Sequence, residues 1–243
     1  MTSSPRDPAY WGKAMRESPE GAVLDPSDGQ GMKNQLIHEI HRQTLETALL
    51  GVNVAAALDF GCGAGRMIPV LLSHSDQVTG VDFSQEMLDS AAEKFRNSHL
   101  TFHHCDGKIV PVGVNAFDLV LCVGVIQYLI RDPSCLPLFR QLVQSLKPGG
   151  RLLLLEQERT FRRGWQGSSR EYRQTFVGLG MQLRLERPVR NSRDVLTYLV
   201  RYGLIPKKWI VFAARLESFL ASTFPPMPWN PYRDTLRVFE KST

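Results

Sequence analysis

A glycine-rich run at residues 58–66, LDFGCGAGR, carries the strongest chemical signal in the sequence. Gly61, Gly63 and Gly65 alternate with other residues directly after an apolar segment, so the backbone can turn sharply and approach a ligand closely. The spacing GxGxG differs from the GxGxxG of dinucleotide-binding proteins. Asp59 precedes the first glycine, where a carboxylate suits a positively charged ligand better than a phosphate. The run therefore predicts a ligand-binding loop of another kind.

Three aspartates each lie at the end of one of three successive apolar segments. Asp59 and Asp82 are separated by one β-α-β step, and Asp106 follows the next segment. In a doubly wound sheet the carboxyl ends of neighbouring strands share one crevice, where an acid can accept both hydroxyls of a ribose. A single such aspartate would more commonly cap a turn, but three in phase with the fold indicate an acidic wall.

The segments that must position these residues alternate between strand and helix patterns. Near-continuous apolar strands that alternate with amphipathic helices favour a parallel sheet covered by helices on both faces. The predicted strands are 55–60, 77–81, 100–104, 117–123, 151–155, 181–189 and 235–240. The predicted helices are 33–50, 67–72, 84–95, 136–146, 169–179 and 193–202, followed by an apolar stripe over 209–220.

On these features the sequence resembles the class I S-adenosylmethionine-dependent methyltransferases, closely over residues 58–156 and more loosely to residue 240. The pattern LDxGCGxG is matched by residues 58–65, and Lys147-Pro148-Gly149-Gly150 is similar to the usual turn before the fifth strand. The resemblance implies an α/β, Rossmann-like three-layer sandwich with a seven-stranded, mostly parallel sheet whose last strand is antiparallel. It also implies S-adenosylmethionine as cofactor, S-adenosylhomocysteine as product, and no metal.

The resemblance assigns residues to the cofactor as well. The glycines would line its methionine part, Asp82 would bind the ribose hydroxyls, and Asp106 would meet the adenine amine. The full expected set is Tyr10, Trp11, Asp59, Gly61, Cys62, Gly63, Gly65, Asp82, Phe83, Met87, Asp106, Gly107, Val123 and Gly124. Tyr10 and Trp11 are similar to an aromatic pair that closes over the cofactor in many members, and a simple hydrophobic anchor is the alternative.

The domain organisation expected from the sequence is an arm, residues 1–32, and a single methyltransferase domain, residues 33–243. We expect an insertion at about 157–231 to form a lid over the acceptor of the methyl group. An acceptor would face the ends of the fourth and fifth strands. Glu156, Tyr128 and His41 are the catalytic candidates there, and the expected substrate-binding residues are Gln127, Tyr128, Glu156, Arg159 and Arg170.

The arginine-rich stretch 159–215 bears on the class of acceptor. It holds 13 Lys or Arg against 3 Asp or Glu, whereas the whole chain has a net charge of +5. A solvated basic face is the ordinary interpretation, and a surface that receives an anionic partner is the sharper one. The sequence lacks the Asn/Asp-Pro-Pro-Tyr/Phe and Pro-Cys motifs of DNA methyltransferases after strand four. We therefore expect a small-molecule acceptor, such as an anionic natural product, sugar or carrier-bound intermediate, and no DNA.

Other functions stay open at this level. An RNA methyltransferase, or a membrane-surface enzyme acting on lipid or quinone, would also use basic charge and the stripe 209–220. A nicotinamide-dependent oxidoreductase is the alternative from another class. The four cysteines lack paired spacing, and neither a secretory signal nor a membrane-spanning run is evident, so a cytoplasmic location is expected. Monomer and homodimer both fit the sequence.

Overall fold

The expected alternation of strands and helices is present in the structure, a computed structural model that describes residues 25, 28, 30–160 and 165–242. The strands are β1 (Val54–Phe60), β2 (Ser75–Asp82), β3 (Leu100–His104), β4 (Phe117–Val123), β5 (Leu146–Arg159), β6 (Met181–Asn191) and β7 (Tyr232–Lys241). The helices are α1 (Met32–Leu49), α2 (Ile68–Leu72), α3 (Gln85–Lys94), α4 (Leu136–Ser145), α5 (Ser169–Gly178), α6 (Val195–Arg201) and α7 (Ile210–Thr223). Short 3-10 turns occur at Ile126–Tyr128, Pro133–Cys135 and Lys207–Trp209.

The seven strands form one sheet in the order β3-β2-β1-β4-β5-β7-β6. Strands β1 to β5 pair in parallel, and β7 is antiparallel to both of its neighbours. The predicted fold class is therefore confirmed. The order reverses between β1 and β4, so a crevice opens outside the carboxyl ends of these strands.

Helices cover both faces because apolar side chains alternate along the buried strands. On β5, Leu153 and Leu155 pack on one face with α1, α2 and α7. Leu152 and Leu154 pack on the other face with α4 and α5. Two separate hydrophobic clusters result, one on each side of the sheet, which makes the three layers that the sequence predicts.

Helices α3 and α2 each begin with a residue that suits the first turn of a helix. The Ser84 side chain accepts a hydrogen bond from the Met87 N–H and so caps α3. Pro69 lies in the first turn of α2, where its missing N–H costs no helical hydrogen bond. The turn at residues 147–150 appears as a register shift between β4 and β5, where Phe117 pairs with Leu146 but Leu119 pairs with Arg151.

The range 157–231 contains elements of the sheet as well as added helices. The end of β5, helix α5 and strand β6 occupy its first part, and α6 and α7 lie between β6 and β7. Helices α6 and α7 both pack against α1. A role of this range as an acceptor lid stays a prediction.

Candidate functional site

The glycine loop between β1 and α2 has a backbone that other residues could not readily adopt. Gly61, Gly63 and Gly65 have φ values of 77°, 54° and 82°, in the left-handed region that favours glycine. A Cβ on Gly61 would lie 2.2 Å from a methyl group of Val125. The loop therefore brings bare backbone to the carboxyl ends of β1 and β4.

Asp82 ties this loop to the end of β2. Its Oδ2 accepts a hydrogen bond from the Gly63 N–H at 2.8 Å, and its Oδ1 accepts one from the Ser84 N–H at 2.9 Å. Burial raises the pKa of Asp82, and the backbone donors oppose that shift. Each oxygen retains a second lone pair for a hydroxyl group of a ligand.

A cavity of about 240 Å³, the loop cavity, lies beside these residues. Its lining combines the loop and Asp82 with largely apolar side chains, as a ligand with a flat base and a ribose requires. The lining residues are Phe60, Gly61, Asp82, Phe83, Cys105, Gly107, Gly124, Val125, Tyr128, Leu129, Cys135 and Leu138. A smaller recess next to it adds Gly63, Met87 and Val123.

Four of the expected cofactor residues lie away from the linings of these two spaces. Cys62 is buried with its thiol near the Gly63 carbonyl, and Gly65 packs near Phe95. Asp106 is exposed, and its Oδ1 accepts hydrogen bonds from two N–H groups of its own loop. Asp59 is buried beneath the loop. The expected acidic wall is therefore reduced to Asp82 at the cavity surface, while Tyr10 and Trp11 lie outside the described residues.

A second cavity, of about 320 Å³ and mainly polar, borders the first. We call it the polar cavity. Gly124 and Tyr128 line both. Its lining comes from α1, the glycine loop and the ends of β4 to β7: Asp25, Lys33, Ile37, His41, Arg66, Gly124, Gln127, Tyr128, Leu155, Gln157, Trp165, Gln166, Arg190, Tyr232 and Asp234.

A chain of four polar side chains crosses the polar cavity. Arg66 Nη1 lies 3.1 Å from His41 Nδ1, and His41 Nε2 lies 3.3 Å from Asp234 Oδ2. Arginine can only donate, so Nδ1 accepts and Nε2–H donates to the carboxylate. Asp234 also accepts from Arg190 through both oxygens, at 2.7 and 3.2 Å. His41 is therefore a neutral bridge between the guanidinium and the carboxylate.

This arrangement corrects the expectation that His41 is a catalytic base. Burial lowers the pKa of His41 to about 4, and the hydrogen bond to Asp234 only partly offsets that. Both ring nitrogens are also occupied. We assign His41 to holding Arg66 in place.

Arg66 brings a positive charge that its nearest partner does not neutralise. Its Nε is buried without a hydrogen-bond partner, and Nη1 contacts only the neutral imidazole of His41. Burial lowers the pKa of Arg66 to about 10, against the opposing charges of Asp59 and Asp234. Burial likewise raises the pKa of Asp59 to about 7. The Arg66 guanidinium at the polar cavity therefore has its described hydrogen-bond contact with a neutral group and not with a carboxylate.

Glu156 has a structural task instead of the expected catalytic one. Its Oε1 accepts from the N–H groups of Val125 and Ile126 at 3.0 Å, and Oε2 accepts from Gln127 at 3.1 Å. The side chain is 1% exposed, and burial raises its pKa to about 8. With both oxygens turned to the backbone, Glu156 fixes the segment that separates the two cavities.

The segment held by Glu156 presents the two other candidates. The Gln127 side chain is buried and accepts a hydrogen bond from the Gln157 N–H at 2.9 Å. Tyr128 stacks on Trp165 with ring centroids 4.9 Å apart. Both residues line the polar cavity, and Tyr128 lines the loop cavity as well.

The two arginines expected at the acceptor are elsewhere. Arg159 donates to Glu171 at 2.8 Å, and Arg170 is exposed on α5. Other members of the arginine-rich stretch also form ion pairs with carboxylates: Arg173 with Glu186, Arg184 with Glu240 and Arg190 with Asp234. The excess positive charge of the stretch is therefore partly neutralised. The cations that line the polar cavity are Lys33, Arg66 and Arg190.

Sequence reasoning missed several residues of the polar cavity. Arg66 stands directly after the glycine loop, and Lys33 and Ile37 precede the expected residue His41 at four-residue intervals along α1, which places them on the same helical face as His41. That periodicity could have found them. Asp234 could not have been found in this way, because its contact with His41 joins residues that are 193 positions apart.

Comparison with known proteins agrees with this geometry. Residues 57–150 match a family model described as a methyltransferase domain. The chain is 30% identical over 107 residues to a ubiquinone biosynthesis O-methyltransferase of Coxiella burnetii, covering 43% of this chain and 44% of the relative. It is 31% identical over 133 residues to a demethylmenaquinone methyltransferase of Staphylococcus saprophyticus, covering 51% and 55%. The chain thus matches only about half of the length of these relatives.

Among solved structures, the fold is similar to that of geranyl diphosphate C-methyltransferase from Streptomyces coelicolor, which was crystallised with Mg²⁺, geranyl diphosphate and S-adenosylhomocysteine. The TM-score is 0.63 at 17% identity, over 99% of this chain and 100% of that one. The fold is thus shared across the whole chain, while the sequence match is concentrated around the glycine loop. Residues 57–150 therefore match a methyltransferase domain in sequence, and the whole chain shares the fold of a solved methyltransferase.

Proposed function

We propose that this chain transfers a methyl group from S-adenosylmethionine to a small-molecule acceptor that carries an anionic group. The observation that carries the proposal is the meeting of two different cavities at Gly124 and Tyr128. One is mainly apolar and contains Asp82, and the other is polar and contains Arg66. A cofactor and an acceptor could occupy them at the same time, with their reacting groups at the shared wall.

The residues of the loop cavity fit the cofactor. Gly61 and Gly63 would admit its methionine part, Asp82 would accept hydrogen bonds from the ribose hydroxyls, and apolar side chains would flank the adenine. When bound, S-adenosylmethionine supplies an activated methyl group, so the protein has to supply position and exclusion of water.

The polar cavity fits the acceptor. Arg66 would bind its carboxylate or phosphate, while the pair of Asp234 and Arg190 fixes the tautomer of His41. Tyr128, stacked on Trp165, would form the wall against which the acceptor is positioned. Glu156 would keep that wall rigid through its three backbone hydrogen bonds. The relatives named for quinone and malonyl-carrier substrates support a small-molecule acceptor over RNA.

Calorimetric titration with S-adenosylhomocysteine tests the cofactor half of this proposal. We expect micromolar binding by the wild type and a loss of roughly tenfold or more in Asp82→Ala, because a bidentate hydrogen bond is removed. Asp76→Ala is the matched control, since Asp76 is exposed near the opposite end of the same strand. Absence of binding by folded wild type, or equal losses in both variants, would overturn the assignment.

A further inference from the structure

Helix α7 exposes several large apolar side chains and buries a glutamate, which is unusual for a surface helix of a globular protein. The residues that α7 buries are Ile210, three alanines (Ala213, Ala214 and Ala221) and a glutamate, Glu217. Large apolar residues of the same helix face outwards, with Phe212 and Phe219 each 60% exposed. An amphipathic helix of a globular protein normally buries its large apolar side chains.

The exposed residues form a continuous stripe, which we call the α7 stripe: Trp209, Phe212, Leu216 and Phe219. Their spacing of three or four positions puts them on one side of the helix. The rings of Trp209 and Phe212 contact each other edge to face, with centroids 6.3 Å apart. A contiguous apolar patch of this kind on a protein surface usually marks an interaction site.

A basic cleft borders the α7 stripe at Phe219. It has a volume of about 280 Å³ and lies between α1, β6 and α7. Arg187 and Arg215 line it, and its other lining residues are uncharged: Gln43, Thr44, Thr47, Ser218, Phe219 and Ser222. Arg187 Nε is buried without a hydrogen-bond partner, so the guanidinium of Arg187 has one unmatched donor.

We propose that this face docks on the surface of a bilayer that contains anionic phospholipid. A phosphate headgroup would occupy the cleft of Arg187 and Arg215, and the α7 stripe would enter the boundary between headgroups and acyl chains. Residues 192–231 carry five Lys or Arg against two Asp or Glu, and of those two acids Glu217 is buried. No described helix is long and apolar enough to cross a membrane, so the contact is peripheral.

Charge favours a bilayer over a second copy of the chain as the occupant. Two copies that met through this face would bring Arg187, Arg215 and the lysines at 207 and 208 towards their own counterparts. An anionic surface would instead attract each of these cations. Aromatic side chains next to basic ones are the composition of an interfacial helix.

The docking face is connected to the polar cavity. Arg201 at the end of α6 lies 3.8 Å from the carboxylate of Asp25, which lines that cavity. Helix α6 packs against α1 together with α7. A docked enzyme would thus hold the polar cavity close to the membrane surface. The docking itself rests on the α7 stripe and the cleft and does not require the proposed methyl transfer.

Vesicle flotation with the full chain tests the docking. We expect binding to vesicles of 30% phosphatidylglycerol in phosphatidylcholine, weaker binding to pure phosphatidylcholine, and weakening by salt. Phe212→Ser with Phe219→Ser, or Arg187→Gln with Arg215→Gln, should each reduce binding to the anionic vesicles about tenfold or more. Val177→Ser and Arg170→Gln are matched controls, because both residues are exposed on α5, across the sheet.

The outcomes separate the alternatives. S-adenosylhomocysteine titration of every variant checks folding and tests the proposed function by a different readout. Wild type that does not bind vesicles, or stripe and cleft variants that bind like the controls, would overturn the docking. Dimerisation that Phe212→Ser and Phe219→Ser abolish, without vesicle binding, would assign the face to a second copy instead.

Discussion

Arg66 Nη1 lies 3.1 Å from the Nδ1 atom of His41, and this contact fixes the protonation of the imidazole. Nδ1 must accept, so the proton resides on Nε2, which faces Asp234. Because His41 is neutral, it does not balance the positive charge of Arg66 at the polar cavity.

The first prediction concerns the charge of His41. We expect its ring to remain neutral down to about pH 5, because burial lowers its pKa to about 4. In ¹⁵N NMR spectra, Nδ1 should have the shift of an acceptor nitrogen and Nε2 that of a donor. In Arg66→Gln the pKa should move back towards its usual range, since a nearby cation is removed.

The same spectra provide a test of anion binding. Benzoate, used as a probe, should shift the His41 signals in the wild type and not in Arg66→Gln. Imidazolium shifts at pH 7, or identical benzoate responses in both proteins, would contradict the assignment of Arg66 as the anion-binding residue.

The second prediction concerns the glycine loop. Gly61→Ala would place a methyl group 2.2 Å from Val125 at a φ of 77°, so affinity for S-adenosylhomocysteine should fall at least 100-fold while the sheet remains folded. Gly178→Ala is the control, because the site at the end of α5 has open space and an ordinary backbone. We expect Gly178→Ala to bind normally and to be equally or slightly more stable. Equal behaviour of the two variants in calorimetry would refute the role of the loop.

The third prediction distinguishes positioning from proton transfer at Glu156. In Glu156→Gln an NH₂ group would face a backbone N–H, which should lower the free energy of unfolding by about 1–3 kcal/mol. Because both oxygens of Glu156 accept hydrogen bonds from backbone N–H groups, we expect the pH profile of methyl transfer to keep its shape while the rate falls. Disappearance of the acidic limb of that profile would show that Glu156 exchanges a proton during turnover.

The fourth prediction follows from a buried acid on α7. Burial, and then the neighbouring Asp194, raise the pKa of Glu217 to about 8. A raised pKa means that the folded protein holds a proton that the unfolded chain releases. The contribution of Glu217 to the free energy of unfolding is therefore fully retained at low pH and decreases from about pH 4.5 to about pH 8.

Replacement of Glu217 by glutamine, its neutral isostere, should remove this pH dependence of the free energy of unfolding. Glu217→Gln should be close to wild type at about pH 4.5 and more stable by about 2 kcal/mol or more at pH 9, because Gln can still accept from the Asn191 N–H. Urea unfolding at several pH values measures the difference. Glu93→Gln, exposed on α3, should give no such divergence, and a parallel pH trend in all three proteins would rule out Glu217 as its source.

Local sequence signals were sufficient for the sheet and for the loop cavity. The β1 strand, the glycine loop and Asp82 are set by residues close together in the chain, through turn geometry and strand alternation. The predicted α1 and β4 agree with the structure to within one residue at each end. These features depend on residues that are close together in the chain, so they could be predicted from a single sequence.

The polar cavity depended on contacts that no local rule describes. Asp234 meets His41 and Arg190 only because β7 inserts between β5 and β6. The expectations for Arg159 and Glu156 were wrong for a similar reason, because tertiary structure places their hydrogen-bond partners. Arg159 pairs with Glu171, and Glu156 binds the turn at 125–127. Charge counts along the sequence could not show which arginines would find carboxylates.

The two cavities have separate origins along the chain, and this has a consequence for evolution. Every residue that lines the loop cavity falls within the span 57–150 that matches the family model. The polar cavity draws most of its lining from outside that span, on α1, β6 and β7 among others. If the loop cavity binds the cofactor and the polar cavity binds the acceptor, as proposed, substitutions in the polar cavity would change substrate preference and leave the cofactor site intact. Related proteins with different acceptors could then arise without a new fold.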